Sequence, residues 1–142
     1  MTYSQSGLHL TEQFESCRLT AYLDSKGIPT IGWGHTAGVQ LGDTCTQEQA
    51  DAWLQQDIGW AVGVVNRAVT VTVTQGEFDA LTDLVFNIGS GNFHDSTMLR
   101  LLNTGDYHGA ADEFCKWDRA GGIIVAGLLR RRLAEEQEFK QL

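Results

Sequence analysis

Basic residues, prolines and long apolar runs are all scarce in this sequence. Ten lysines and arginines stand against 18 aspartates and glutamates, which gives a net charge of −8. Because phosphate binding needs basic patches, this charge argues against a nucleic acid partner. No apolar run approaches the roughly 18 residues of a membrane-spanning helix, and residues 1–15 lack the basic start and apolar block of a signal peptide. We therefore expect a protein that is made in a cytoplasm and does not insert into a membrane.

Cysteine is also scarce, with Cys17, Cys45 and Cys115 far apart along the chain. An odd number at wide spacing is not typical of a disulfide framework or of a zinc site. In a cytoplasm we expect all three thiols to be reduced and partly buried, although one pair could oxidise later in another compartment. We expect no metal and no cofactor.

The chain is long enough for one domain with a core of its own, spanning residues 1–142. Alternation and turn signals predict a small antiparallel sheet of two or three strands within about 18–45, the third over 39–41. Helical patterns surround it, so the class is α+β. We expect a sheet lobe at about 18–45, a helical lobe at about 67–142 that includes an N-terminal helix over 4–16, and a cleft between the lobes.

Start and stop signals divide the helical part. An apolar stripe predicts one long helix over 46–66 that joins the two halves. The run Thr74–Glu77 has the form of a capping box, and it opens a helix that continues to Ile88. Gly121 and Gly122 should only break the chain before a last helix over 124–139. The four tryptophans are expected in the core or in contacts between the lobes.

Two acids occupy unusual places, because Glu15 lies where the first helix ends and Asp24 where a turn begins. Glycoside hydrolysis needs two carboxyls in different states. One holds a proton for the leaving oxygen, and the other stays ionised to place a water or to face developing positive charge. Taken alone, two acids at this spacing are more often solvated surface charges.

The residues around Glu15 and Asp24 favour the catalytic interpretation over solvated surface charges. Glu15, eight residues, Asp24, five residues, Thr30 and then Ile-Gly-Trp-Gly-His over 31–35 form one compact signature. It resembles the active-site signature of the phage-type lysozymes of glycoside hydrolase family 24. The resemblance continues through four later segments, so that it covers nearly the whole chain from about Leu8: FNIGSGNF (86–93), STMLRLL (96–102), DYHGAADEFCKW (106–117) and GLLRRRLAE (127–135).

The resemblance implies a lysozyme-like fold and a phage endolysin that hydrolyses the β-1,4 bond between N-acetylmuramic acid and N-acetylglucosamine in peptidoglycan. It implies that Glu15 is the general acid, that Asp24 activates the attacking water or stabilises positive charge, and that Thr30 positions this water. It also implies inversion at the anomeric carbon, for which the two carboxyls should stand roughly 6.5–9.5 Å apart.

Further residues follow from the same resemblance. His35 should pair with Asp57 on the helix after the sheet, and Arg130 or Arg131 should face Glu15. For these arginines a solvated basic surface is the alternative.

The sugar-binding wall should include Gly34, Phe86, Asn87 and Ser96. For Phe86 and Ser96, plain core packing and helix capping are the competing interpretations, and both roles can hold at once.

The expected partners are the glycan strands of peptidoglycan and, by resemblance, a holin-type pore that releases a monomeric enzyme from the host cytoplasm to the periplasm and cell wall. Three other functions stay open: a lytic transglycosylase, a catalytically inactive sugar-binding module, and hydrolysis of chitin-like chains. A tail-associated or secreted lysozyme would have the same catalytic domain as a lysis enzyme.

Overall fold

The computed structural model describes residues 1–141, which form two compact units. One unit is Thr11–Gly59, and the other combines Met1–Leu10 with the chain from Trp60 onward. The helices are α1 (Gln5–Phe14), α2 (Gln47–Asp57), α3 (Gly59–Ala68), α4 (Gln75–Ile88), α5 (Ser90–His94), α6 (Thr97–Asn103), α7 (Tyr107–Asp112) and α8 (Ala126–Phe139). The strands are β1 (Arg18–Leu23), β2 (Pro29–Gly32), β3 (Arg119–Ala120) and β4 (Ile123–Ile124). These elements confirm the α+β class, and within residues 1–141 no helix is both long and apolar enough to cross a bilayer.

The sheet of the first unit is an antiparallel hairpin of β1 and β2, in which Tyr22 lies opposite Thr30. The predicted third strand over 39–41 is wrong. In its place one isolated bridge joins Thr20 to Thr44. The reason is local, because glycines on both sides of this segment have positive φ angles and turn the chain away from an extended path.

The predicted single helix over 46–66 is also wrong, because it is divided into α2 and α3. Ile58 follows the last residue of α2, and α3 begins at Gly59. Glycine costs about 1 kcal/mol relative to alanine inside a helix, so Gly59 is a weak point for continuation. Within the first unit, α2 packs against β2.

The second unit is built around α4. All residues over 78–85 are buried, and α4 packs against α8. The predicted capping box is confirmed by two hydrogen bonds. Thr74 Oγ1 accepts from the Glu77 backbone N–H at 3.1 Å, and Glu77 Oε1 accepts from the Thr74 backbone N–H. This cap sets the start of the central helix.

A short hairpin of β3 and β4 lies where the sequence predicts only a break. Gly121 and Gly122 both have positive φ angles, 59° and 81°, and form its turn. The last helix therefore begins at Ala126, two residues later than predicted. Ile123 and Ile124 are 72% and 55% exposed, and a strand with neither face buried gives no alternating pattern to detect.

Candidate active site

Asp24 is fixed in the turn of the first hairpin. Its Oδ1 accepts from the backbone N–H groups of Lys26 at 2.8 Å and Ile28 at 2.9 Å. Its own N–H donates to the Ile28 carbonyl at 3.0 Å. Within residues 1–141 no donor is bound to Oδ2, so one carboxylate oxygen is held and the other is available to a ligand or water.

Thr30 is 4% exposed and lies on β2. Its hydroxyl donates to the Ile28 carbonyl at 2.8 Å. Since this bond uses the only hydroxyl proton, Oγ1 can act toward a further group only as an acceptor. Thr30 lies opposite Tyr22 in the ladder, and Asp24 follows Tyr22 by two residues, in the turn just beyond the end of β1. The residue Ile28 thus binds Asp24 through its N–H and Thr30 through its C=O.

Glu15 directly follows the last residue of α1 and is half-buried. Its backbone N–H donates to the Thr11 carbonyl at 3.1 Å, which continues the helical hydrogen bonding by one residue. Thr11 is fully buried, so this end of the helix is anchored in the first unit. The side chain of Glu15 is therefore carried by a fixed backbone.

His35 and Asp57 are in contact, as the sequence predicts, with Nδ1 and Oδ2 2.8 Å apart. The His35 ring also stacks on Trp53 of α2, with ring centroids 4.5 Å apart and planes 4° from parallel. The peptide of His35 exchanges two backbone hydrogen bonds of 2.9 Å with Ile31. Together these contacts bind the end of the signature, at His35, to α2 and to Asp57.

The two glycines of the signature serve different purposes. A Cβ on Gly32 would lie 3.1 Å from the Cβ of Ala50, so Gly32 lets β2 approach α2 closely. A Cβ on Gly34 would meet nothing within 4 Å, but its φ angle is 100°. Gly34 is thus required by backbone conformation and lies next to open space.

The predicted sugar-binding residues of the second unit differ in burial: Asn87 is exposed, Phe86 is half-buried and Ser96 is buried. Phe86 is half-buried and its ring lies 6.1 Å from the ring of Trp60. Trp60 is 46% exposed, so of the two expected places, the core and contacts between the lobes, it does not occupy the core. Asn87 is exposed. Ser96 caps α6, because it accepts from Leu99 N–H at 3.1 Å and donates to the Phe93 carbonyl at 2.6 Å. Ser96 therefore has the capping role, and toward a sugar it could only accept.

The arginine cluster of α8 is not a uniformly solvated surface. Arg130 is exposed, but Arg131 is 4% exposed and Arg132 is fully buried. Arg131 binds Asp83 of α4 through two hydrogen bonds, at 3.0 Å from Nε and 2.9 Å from Nη2. Arg132 donates from Nη2 to Glu135 at 3.0 Å. Sequence analysis missed both acids, although Asp83 inside the apolar stripe of α4 was a usable signal.

This buried cluster contains two acids and two arginines, and burial shifts the pKa values of Glu135 and Arg132. Burial raises the pKa of Glu135 well above its usual value, and the neighbouring Asp83 raises this pKa further against the opposing effect of Arg132 and Arg131. Burial also lowers the pKa of Arg132. Glu135 consequently holds its proton more strongly than an exposed glutamate does.

Comparisons with known proteins identify the family of this chain. The family model described as phage lysozyme matches residues 12–135. The endolysin of Acyrthosiphon pisum secondary endosymbiont phage 1 is 43% identical over 144 aligned positions, which cover 99% of both chains. A crystal structure of a mutant of P22 lysozyme is 40% identical with a TM-score of 0.92 and covers 99% of this chain and 99% of that one. The muramidase domain of SpmX from Asticaccaulis excentricus is 36% identical with a TM-score of 0.93, again over 99% of each chain.

Proposed function

Because the chain belongs to the phage lysozyme family and is an endolysin with muramidase activity that acts on peptidoglycan, we propose that Glu15, Asp24 and Thr30 divide the hydrolytic reaction between them. The single observation that carries this proposal is the position of Ile28, whose N–H binds Asp24 and whose carbonyl binds Thr30. The backbone of one residue thereby orients the side chains of both Asp24 and Thr30.

The two acceptors suit one water molecule. Asp24 Oδ2 and Thr30 Oγ1 can each accept one of its two protons, because the Thr30 proton is already donated to Ile28. The water oxygen then keeps a lone pair for the anomeric carbon. As the bond to carbon forms, one water proton passes to Asp24, which acts as the general base. Before this step the Asp24 carboxylate faces the positive charge that develops on the sugar ring.

Glu15 supplies the other proton. As the glycosidic bond breaks, its carboxyl group protonates the leaving oxygen of the neighbouring sugar, and solvent restores the proton afterwards. The role requires a carboxyl whose backbone does not move, and the bond from Glu15 N–H to Thr11 supports this. Direct attack by water predicts inversion of configuration.

The alternatives differ in what they require. A lytic transglycosylase closes an anhydro ring and uses no water, so the arrangement at Asp24 and Thr30 would be without purpose. An inactive binding module needs no proton donor, so replacing Glu15 would leave its behaviour unchanged. The side chains of Asp24 and Thr30, both held by Ile28, favour hydrolysis over transglycosylation and over an inactive binding module.

Mass analysis of the products tests these roles. Purified peptidoglycan is digested with the wild type and with Glu15→Gln, which preserves size but cannot donate an acidic proton. We expect hydrated reducing-end muropeptides from the wild type and almost none from the variant. Products lighter by one water would replace hydrolysis by transglycosylation. An equally active variant would remove Glu15 from the reaction.

Release and assembly belong to the same proposal. The enzyme would act as a monomer on glycan strands in the cell wall, after a holin-type pore had released it from the host cytoplasm. Gly34, Phe86 and Asn87 would contact the sugars, with Trp60 beside Phe86 as an additional aromatic surface. If Phe86 contacts the sugars, Phe86→Ala should lose sugar binding while the fold stays intact.

A further inference from the structure

Cys17 and Cys45 come close together in the first unit although they are far apart in sequence. Cys17 lies between α1 and β1, and Cys45 lies just before α2. The N–H of Cys45 donates to the carbonyl of Leu19 at 2.9 Å, next to the antiparallel bridge of Thr20 and Thr44. Cys45 therefore faces Leu19, and Cys17 precedes Leu19 by two residues. This register makes the two cysteines diagonal neighbours.

Side-chain contacts place the Cys17 thiol over the same segment. Its Sγ lies 3.6 Å from Nε2 of Gln47, which follows Cys45 by two residues. Both thiols are half-buried, so small oxidants can reach them. The pKa of Cys45 is raised by burial and then by negative charge on Cys17, which agrees with a short distance between the two groups. Cys17 precedes the first residue of β1, so the ladder does not fix its distance from Cys45.

The third cysteine lies in other surroundings. Cys115 belongs to the second unit, where its thiol lies 3.6 Å from the Glu136 carboxylate. Burial and this carboxylate raise the pKa of Cys115, which makes it a poor nucleophile. Cys115 therefore serves as an internal control for any claim about the other two.

We propose that Cys17 and Cys45 form a disulfide bond when the folded protein meets a thiol-oxidising environment. The bond would join the start of β1 to the start of α2. It would close the loop that carries Asp24, Thr30 and His35. It would form at the expense of the contact between Cys17 and Gln47.

The chemistry needs a disulfide oxidant, for which oxidised glutathione is a sufficient example. The Cys17 thiolate attacks one glutathione sulfur, forms a mixed disulfide and releases one glutathione thiolate. The Cys45 thiolate then attacks the Cys17 sulfur and releases the second glutathione. Two cysteine protons are lost to solvent, and the two electrons of the oxidised thiols reduce the glutathione disulfide.

The bond would stabilise the unit that carries the catalytic signature. A disulfide restricts the unfolded chain, and longer loops gain more. For the loop between Cys17 and Cys45, we expect oxidation to raise the midpoint of thermal unfolding by roughly 5–15 °C. Because Cys17 lies outside β1, the chain can adjust locally to bring the two sulfur atoms together, so oxidation should not require unfolding.

Thiol counting tests the bond itself. The full chain is purified reduced, exposed to oxidised glutathione at pH 8, unfolded in an alkylating agent and weighed. We expect loss of two thiols without retained glutathione, and a digest in which the Cys17 and Cys45 peptides are linked. Three free thiols, a linkage through Cys115 or a lasting glutathione adduct on the wild type would overturn the proposal.

Matched serine variants test the pairing. Cys115→Ser should still form the bond and show the same rise in midpoint as the wild type. Cys17→Ser and Cys45→Ser should each keep one glutathione on the remaining partner and show no rise. If either of these two variants gained as much stability on oxidation as the wild type, the gain would have another origin.

Discussion

The buried pair of Asp83 and Arg131 offers the sharpest prediction of stability. Asp83 is fully buried, Arg131 is 4% exposed, and two hydrogen bonds of 3.0 Å and 2.9 Å join them. The change Asp83→Asn keeps the size of the side chain but removes the negative charge. It also places an NH₂ group opposite one of the arginine donors. Arg131 then loses its charge-assisted hydrogen bonds to the Asp83 carboxylate.

The expected cost follows from burial. Breaking a buried pair by removing one partner costs about 3–5 kcal/mol, because the remaining charge keeps its desolvation penalty. One acid that could compensate is Glu135, whose Oε2 lies 3.9 Å from Arg131 Nε. Since the pKa of Glu135 is raised, its carboxylate is a weak substitute, so we expect about 3 kcal/mol or more. With a slope of about 1–3 kcal/mol per molar urea, the midpoint should fall by roughly 1–3 M.

A matched control separates burial from distance. Lys116 and Glu113 are 2.8 Å apart, but the Lys116 side chain is 69% exposed. Although the Glu113 side chain is only 12% exposed, Lys116→Gln should cost less than about 1 kcal/mol, because solvent screens the exposed Lys116 charge. Both variants are measured by urea unfolding at pH 7, with circular dichroism and tryptophan fluorescence as independent probes. Equal losses in the two variants would refute the argument from burial.

Three further predictions use the same cluster and the signature. The folded pKa of Glu135 is raised, so its contribution to stability is full below the unfolded value of about 4.3 and is lost as pH rises through the folded value. In urea titrations the stability of the wild type relative to Glu135→Gln should therefore fall as pH rises above about 4.3, and a constant difference would contradict this. Gly34→Ala should lose about 1–2 kcal/mol to its positive φ, whereas Gly91→Ala, on a helix with open space and no positive φ, should be neutral or stabilising in the same thermal melts. Thr30→Val should lower kcat by about 10-fold or more while Thr30→Ser keeps most activity, and equal rates on peptidoglycan would remove the hydroxyl from the reaction.

Local signals in the sequence predict a large part of this fold. Thr74 and Glu77 form the predicted capping box, because such a box depends only on residues three positions apart. The turn signal after Asp24 likewise gives a hairpin with Thr30 on β2. His35 and Asp57 needed the family resemblance, since nothing in their spacing brings them to a distance of 2.8 Å.

The features that sequence analysis missed depend on packing between distant segments. Arg131 and Arg132 stand in a run of three arginines, which is typical of a solvated surface, and only the acid on α4 and Glu135 explain their burial. The exposed β3–β4 hairpin has the opposite problem, because Ile123 and Ile124 are apolar without a core to bury them. In both cases the composition of a segment predicts the wrong environment.

The stereochemistry of the first product tests the central claim most directly. The proposed acceptors Asp24 Oδ2 and Thr30 Oγ1 hold a water that attacks the anomeric carbon itself, so the new reducing end should form in the α configuration from the β-linked chain. A soluble peptidoglycan oligosaccharide is cleaved in the NMR tube, and the anomeric proton signals are recorded before mutarotation. Initial accumulation of the α anomer is the predicted result. Initial accumulation of the β anomer would mean two successive displacements and would contradict direct attack by this water.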